Sequence, residues 1–599
     1  YAAADIRRTR FPRDLLLRDV IARLTPGVSV AQGQEEMNRI AADLEKEHPD
    51  TNRGWRVKVT GLKAWQSQKL RAPLLALHLA TGIILLMACL NVANLLLIRG
   101  ESRRRETAIR AALGSSRLRL LRQPLTESLL LSGAGGITGA VLAVFCRNAL
   151  LRFAPDGYGI PQEFGIESPV LLWALGITVL AGILSGLLPA LRVSSSHLCQ
   201  VLGETGRSAS PGRDQRGLLN GLVVGQIAIS TILLATAALT FISFQKLMWV
   251  DPGFARNHTL SFRVDPYPKP EVTRKIMEGL SSLPGVQSVG GANIELLNDL
   301  FSNGVRITWG GHSDGADGAV LTADYWRVTA DYFSTIGLPL LAGRGFSDHD
   351  PFDLQGGRLV IINEALARRF FPNQDPVGQT IRLLPRDGKN VPLQVIGVVG
   401  SVKHHGLRED AVPILYVHAQ DAPALVVRSE MRPTALVPMV RSVLRSVDSK
   451  LVMSRVATTD QIVERSLAGN RFATLLMLGL AILGLVLAAL GLFGVLSYAV
   501  DRRRQEIGIR LAVGAQREDV MRLILRQGVT LVLLGMGSGA IIAVLLGQTL
   551  QRLLFRISPG DPLLWTAVSI VLGSVALLAC WFPARRAARV DPAEALRTE

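Results

Sequence analysis

The sequence predicts an α-helical polytopic membrane protein with seven transmembrane helices and an α+β extracytoplasmic domain of two subdomains. Three observations predict it. Seven apolar runs approach or exceed the ~20 residues that a helix needs to cross a hydrocarbon core. Arginine is concentrated on alternate short loops. The long polar stretch between the fourth and fifth runs alternates strand-like and helix-like patterns.

The runs are Leu74–Ile98, Leu125–Leu150, Val170–Leu191, Leu218–Phe244, Phe472–Val500, Gly528–Leu550 and Leu563–Phe582. Most lack charge; Glu127 and Arg147 stand near the ends of the second. Long buried helices of a soluble core would not stay uncharged so often. Arg99, Arg103, Arg104, Arg105, Arg110 and Arg117 crowd one loop, and Arg502, Arg503, Arg504, Arg510 and Arg517 another. The short loops on the other side hold only Arg152 in one and Arg552 and Arg556 in the other as arginines. This positive-inside asymmetry puts the Arg-rich loops in the cytoplasm. The net charge of +18 therefore reads as orientation and attraction to the anionic lipid bilayer, with no nucleic acid as partner. Of four cysteines, Cys89, Cys146 and Cys580 lie in or beside spans and Cys199 in a cytoplasmic segment, which suggests neither disulfides nor zinc.

In the N-terminal piece, Val20–Leu24 reads as a strand and Thr25-Pro26-Gly27 as a turn. Ser29 caps a helix through about Lys46 whose face carries Met37, Ile40, Ala41 and Leu44, and Trp55, Val57 and Val59 alternate as a strand. Later, Leu260–Val264, Val286–Val289, Leu359–Ile362, Thr380–Leu384, Leu393–Val399, Ile414–Val417, Leu425–Arg428 and Val452–Val456 read as strands. Helices are expected over Val272–Leu283, Asn363–Phe371, Pro433–Val447 and Thr459–Leu467. The first and last segments should build the membrane-proximal subdomain. The N-terminal piece has the order of that domain's tail end, so the chain is expected to be truncated at its N-terminus, lacking an opening span and most of a first external domain. Asn91 and Asn94, on one face of the first span, predict interhelical hydrogen bonds. Gly135-x-x-x-Gly139 and Gly535-x-x-x-Gly539 predict close helix approach. Pro189 and Pro583, each followed by Arg, should stop the third span of each half.

The chain is internally duplicated. Glu106, Ile109, Arg110 and Gly114 recur as Glu506, Ile509, Arg510 and Gly514 at a constant offset of 400, and Arg117/Arg517, Gly135/Gly535 and Gly139/Gly539 keep that register. Each string predicts a short helix: the acid near its N-terminus opposes the dipole, and the Gly suits its stop. Ile509 with Ala512 and Val513 makes a small apolar face that can dock into a groove. Orientation accounts for the arginines; it does not account for a Glu inserted among them in both halves. Two copies suit a two-fold partner.

No phosphate loop, H-E-x-x-H or G-x-S-x-G occurs in the sequence. His404 and His405, with Asp348 and His349, lack ligand spacing and read as surface histidines. The spans hold no charge deep inside, whereas ion-driven transporters keep ionisable groups near the midplane. Energy for movement would enter elsewhere, and the repeated helix is the candidate entry point.

Arg502–Ala515 and the tail Pro583–Arg597, with Asp375–Gln379 and Val395–Gly400, resemble the MacB/FtsX family of ABC transporter permeases. The tandem form is similar to duplicated permeases of acidobacteria. The first copy departs from the pattern after Arg192-Val193, where Ser194-Ser195-Ser196 stands in place of Asp591-Pro592. The resemblance implies an external piece over 1–73, a three-helix permease unit over 74–192, a cytoplasmic linker over 193–217 and an opening helix over 218–245. A MacB-like core domain over 246–471, a second three-helix unit over 472–583 and a cytoplasmic tail over 584–599 would follow. It further implies a bacterial inner-membrane permease subunit that is not an enzyme and has no cofactor in this chain, with ATP bound by a partner ATPase. A cytoplasmic ABC ATPase dimer would dock on Glu106, Ile109, Arg110, Gly114, Glu506, Ile509, Arg510 and Gly514. Its closure would move the external domain by mechanotransmission, exporting or extracting a hydrophobic, peptide or lipid-linked cargo. The alternative is a relay that regulates an envelope hydrolase or sensor as its periplasmic partner.

Overall fold

The computed structural model describes residues 22–52, 56–102, 106, 109–110, 116–153, 168–195, 212–297, 304–309, 321–351, 359–383, 391–404, 406–514, 516–550 and 560–589. The chain divides into two compact units, one of residues 1–69 and 249–467 and one of residues 70–248 and 468–599.

Among the described residues, seven helices are long and apolar enough to cross a membrane. With α1 at Val30–Glu47 and a short α2 at Pro49–Asn52, they are α3 (Leu62–Ser102), α4 (Arg117–Phe153), α5 (Ser168–Ser195), α6 (Gly212–Met248), α11 (Thr459–Arg502), α13 (Arg517–Leu550) and α14 (Pro562–Ala587). Pro189 and Pro583 lie inside α5 and α14, which corrects the expectation that they end these helices. Each stands near its helix's C-terminal end, where the carbonyl it frees has other routes to a partner, so the helix runs on.

Small residues set the packing in this unit. A Cβ on Gly535 would fall 2.6 Å from Ile227 Cβ of α6, and one on Gly539 would fall 2.6 Å from the Ala228 carbonyl oxygen. α13 therefore lies backbone-close against α6. Gly135 and Gly139, their repeats on α4, have no described atom within 4 Å of such a Cβ. The shared motif predicted close approach in both halves, and the structure shows it only in the second. α4 instead packs on α5, where Ser128 and Leu129 fit against Gly182 and Gly186 and Ser128 Oγ donates to the Gly182 carbonyl. Leu97, Leu219, Val223, Ile227, Leu492 and Leu496 belong to the main buried cluster of the bundle.

The other unit is α+β. β1 (Thr259–Asp265), α7 (Pro270–Ser281) and β2 (Val286–Ala292) form its first segment; β10 (Ala424–Ser429), α10 (Pro433–Val447) and β11 (Val452–Thr458) form its last. They share one antiparallel layer in the order β11-β1-β10-β2, a split βαβ arrangement. Leu260, Phe262 and Val264 alternate inward, as do Leu425 and Val427, against Ile276 and Leu280 of α7 and Leu436, Val440 and Leu444 of α10. Between β2 and β10 lie β3 (Gly304–Trp309), β4 (Leu321–Val328), α8 (Tyr332–Ile336), β5 (Leu340–Gly343), β6 (Leu359–Asn363), α9 (Glu364–Phe370), β7 (Thr380–Leu383), β8 (Val391–Val399) and β9 (Ile414–His418). The pairings β4–β3–β7–β8–β6–β9 return to β4, so six strands close into a small barrel with its own core of Ile307, Val360, Ile362, Ile381, Leu393, Val395, Leu415 and Val417. The two subdomains are thus a split βαβ layer and an inserted barrel, joined by the Ala292–Val328 bridge.

Three local expectations are corrected. Residues 22–24 and 56–60 are not strands; Val20, Ile21 and Trp55 lie outside the described residues. Gln34 of α1 takes the part of a strand neighbour instead, its amide donating to the Val57 carbonyl at 2.6 Å and accepting from Val59 N at 2.7 Å. Ser29 does cap α1 through a reciprocal box with Gln32, but Ile40 and Leu44 of its predicted inner face are exposed. His404 is buried, its ring tilted against Trp326 with centroids 3.7 Å apart, so it is not a surface histidine; His405 lies outside the described residues.

Two outcomes follow from these contacts. Gly539→Leu must push α13 off the α6 backbone and is expected to cost about 1–3 kcal/mol, whereas Gly139→Leu leaves stability unchanged; thermal unfolding of the purified chain compares them. Arg344 donates both terminal nitrogens to Asp350, at 2.6 and 2.9 Å, and this bond holds the Asp350 carboxyl below its ordinary value. A carboxylate depressed on folding contributes stability above its unfolded pKa and loses it as pH falls through the folded one. Asp350→Asn should therefore destabilise at pH 7 by roughly 1 kcal/mol, a small figure because Arg344 is half exposed. The difference from the parent should vanish in unfolding curves taken at a pH below the folded value.

Candidate functional site

At the end of α11 the chain turns at Arg503 and enters α12 (Arg504–Ala512). An isolated helix of nine residues is too short to hold itself, so its shape depends on what lies under it. Ile507, 3% exposed, inserts among Val500 of α11, Val520 and Ile524 of α13, and Ala584 and Ala587 of α14, with Leu511 beside it one turn on. This shared cluster ties α12 to α11, α13 and α14. At the edge of this region Arg585 lies over the Trp581 ring at 5.0 Å.

The opposite face carries the predicted residues. Arg510 Nη2 donates to Glu506 Oε1 at 2.7 Å, one turn apart and both half exposed. Such a pair contributes only a few tenths of a kcal/mol to the helix, about 0.3–0.5. Ile509 is 48% and Val513 84% exposed. Gly514 has φ +104°, a left-handed conformation that favours glycine and lets the chain leave α12 and enter α13.

In the first half Arg110 Nη2 donates to Glu106 Oε1 at 2.5 Å, while its Nη1 donates to Gln123 Oε1 of α4 at 3.2 Å. Ile109 is 52% exposed. Gly114 lies outside the described residues. The structure therefore shows the same ion pair with an outward isoleucine beside it in both halves. Sequence reasoning placed Val513 on the apolar docking face, where it is exposed, but missed Ile507 as the buried residue of this helix. The signal was available: Ile507 and Leu511, four apart, mark one side of a helix, and 506, 509, 510 and 513 mark the other. Among the described residues no group of three or more His, Cys, Asp or Glu is placed to hold a metal.

Comparison with known proteins adds the following. The FtsX-like permease C-terminal family model matches twice, at residues 79–198 and 478–592, and the MacB-like periplasmic core domain model matches residues 220–457. The chain is 26% identical over 295 residues to the macrolide export ATP-binding/permease protein MacB of Agrobacterium fabrum, a match covering 46% of this chain and 43% of that protein. It is 27% identical over 290 residues to MacB of Escherichia coli K12, covering 45% and 43%. The chain thus spans less than half the length of these curated relatives. Among solved structures, the periplasmic region of MacB from Actinobacillus actinomycetemcomitans aligns with a TM-score of 0.25 at 18% identity, covering 36% of this chain and 96% of that one. The chain is a multi-pass inner-membrane protein whose large α+β domain is extracytoplasmic. With the permease model matched in both halves, the core-domain model between them, and the two together spanning most of its length, the chain belongs to the MacB/FtsX-type ABC transporter permeases in tandem-duplicated form.

Proposed function

We propose that this chain is the membrane subunit of an ABC transporter driven by a separate cytoplasmic ATPase dimer, one ATPase docking on each loop helix. Residues 74–192 and 472–583 act as its two permease units and 246–471 as the extracytoplasmic domain they move. The observation that carries this reading is the outward face of the loop helices: Glu506, Arg510 and Ile509 in one half and Glu106, Arg110 and Ile109 in the other. The ion pairs add little to stability, and the isoleucines are half exposed with little apolar burial to gain from the fold, so neither is accounted for by it. An apolar residue framed by a charge pair suits a groove on a soluble partner.

Force reaches the spans through Ile507. A push on α12 bears on α11, α13 and α14 together, because all three supply its seat. ATP is bound by the partner, and this chain supplies the lever. Movement passes along helices to the extracytoplasmic domain by mechanotransmission and expels or extracts a hydrophobic, peptide or lipid-linked cargo.

Co-purification tests the docking. Glu106→Lys with Glu506→Lys places a like charge beside Arg110 and Arg510 and should lower the ATPase recovered with the chain about tenfold, which corresponds to ~1.4 kcal/mol. Ile509→Asp should act in the same direction with the unfolding temperature unmoved, since that side chain is half exposed and outside the buried cluster under α12. ATPase recovery equal to the parent in the double variant would reject the site.

A further inference from the structure

Within the membrane unit the first half meets the second along α3 and α11. Ala80, Ile84 and Met87 of α3 share a buried cluster with Leu233 of α6 and Ala488 of α11. Asn91 Nδ2 donates to the Leu487 carbonyl at 2.9 Å, and Asn91 Oδ1 lies 2.7 Å from the point a Cβ on Gly491 would occupy. Asn91 and Gly491 are the same position of the 400-residue repeat. Where repeat-related positions touch each other, a local two-fold axis runs between them.

An undiverged repeat would set each side chain at that axis against its own copy. This chain does not: Asn91 and Asn94 stand on one side, and their counterparts are Gly491 and Gly494. The room left by the missing side chain at 491 is taken by Asn91 and by Gln226 of α6, both of which would collide with a Cβ there. Asn94, Gln226 and Ser230 are fully buried, and none of their side-chain polar atoms has a hydrogen-bond partner among the described residues. Buried polar groups of this kind disfavour folding relative to apolar ones. Their established use at helix seams is to choose partner and register.

We propose that Asn91, Asn94 and Gly491, with Gln226, are the residues that make the first half of this chain mate with its own second half and reject like-with-like pairing between two chains. Two α3 helices at the axis would set a second Asn91 where Gly491 now leaves room. Two α11 helices would leave a gap where Asn91 now sits. One polypeptide then supplies both halves of the permease core, and the partner of the α3 seam is intramolecular. This goes beyond the docking proposal and stands without it.

Cysteine cross-linking of the full chain in membranes tests it, in a background lacking Cys89 and with linked peptides identified by mass spectrometry. A chain carrying Asn91→Cys and Gly491→Cys should form its disulfide at the mass of a single chain. Two differently tagged chains, one with each single cysteine, should form none when co-expressed; linkage between tags at the yield of the double variant would overturn the intramolecular pairing. The specificity claim is read with Met87→Cys, one turn from Asn91. Homotypic linkage of Met87→Cys chains should be at the background of the uncrosslinked parent and should rise several-fold above it when Asn94→Gly is added. Should that variant fail to reach the membrane, Asn94→Leu, which keeps the bulk and removes the amide, carries the same expectation. Homotypic linkage unchanged by both substitutions, in chains that elute like the parent, would remove Asn94 from the set.

Discussion

In hydrocarbon a peptide group has no water to turn to, so each span must be a helix that satisfies its own backbone. Burying apolar side chains gains little when lipid is equally apolar, and association then depends on how closely two backbones approach. That constraint organises the membrane unit. α13 lies against α6 because Gly535 and Gly539 let it, and α5 lies against α4 because Gly182 and Gly186 accept Leu129 and Ser128. α11 admits Asn91 and Gln226 because position 491 is bare. The isoleucines and leucines around these contacts fill the remaining space; the glycines decide which helix meets which.

The short helix at the inner face solves a different problem. It lies where water is available, has only nine residues and lacks a side-chain N-cap, so its own hydrogen bonds do not secure it. Ile507 does, as part of a buried cluster with residues of three spans. The arrangement leaves the outward residues free of structural duty. Replacing Glu506 or Ile509 should leave the bundle standing, and this separation between an anchoring face and a presenting face is what a docking element needs.

Much of this was legible in the sequence because the relevant signals are local. Uncharged length marks the spans, and alternating apolar residues mark the strand at Leu260–Val264. A Ser29/Gln32 box marks the start of α1. What escaped was set by contacts distant in sequence. β4 reads poorly as a strand because Asp324 and Arg327 interrupt its apolar positions, yet it closes the barrel through a parallel pairing with β9 some ninety residues on. His404 looks like a surface residue among its polar neighbours, and only the packing of Trp326 against it reveals that it is buried. Pro189 and Pro583 carry the local signature of a helix stop; the membrane bundle carries the helix past them. At the candidate site, Glu506, Ile509 and Arg510 were readable from the repeat, while Ile507 required knowing which side of α12 faces the spans.

The duplication also works as an internal control. Gly135 and Gly139 repeat Gly535 and Gly539, yet one pair touches a helix and the other touches nothing within 4 Å among the described residues. A shared residue is therefore no proof of a shared environment, and equivalence of the halves has to be established position by position. At the loop helices it survives that scrutiny: Glu106–Arg110 and Glu506–Arg510 are bonded alike, and Ile109 and Ile509 are both exposed. At the seam it fails in the opposite sense, with Asn facing Gly. Packing explains neither the retained surface nor the divided seam, since the first is half exposed and the second buries the Asn94 and Gln226 amides without partners among the described residues. A retained surface is what two like subunits of one partner would require, and a divided seam is what two halves that must find each other would require. The two halves of this chain are thus kept alike where they face outward and made unlike where they face each other.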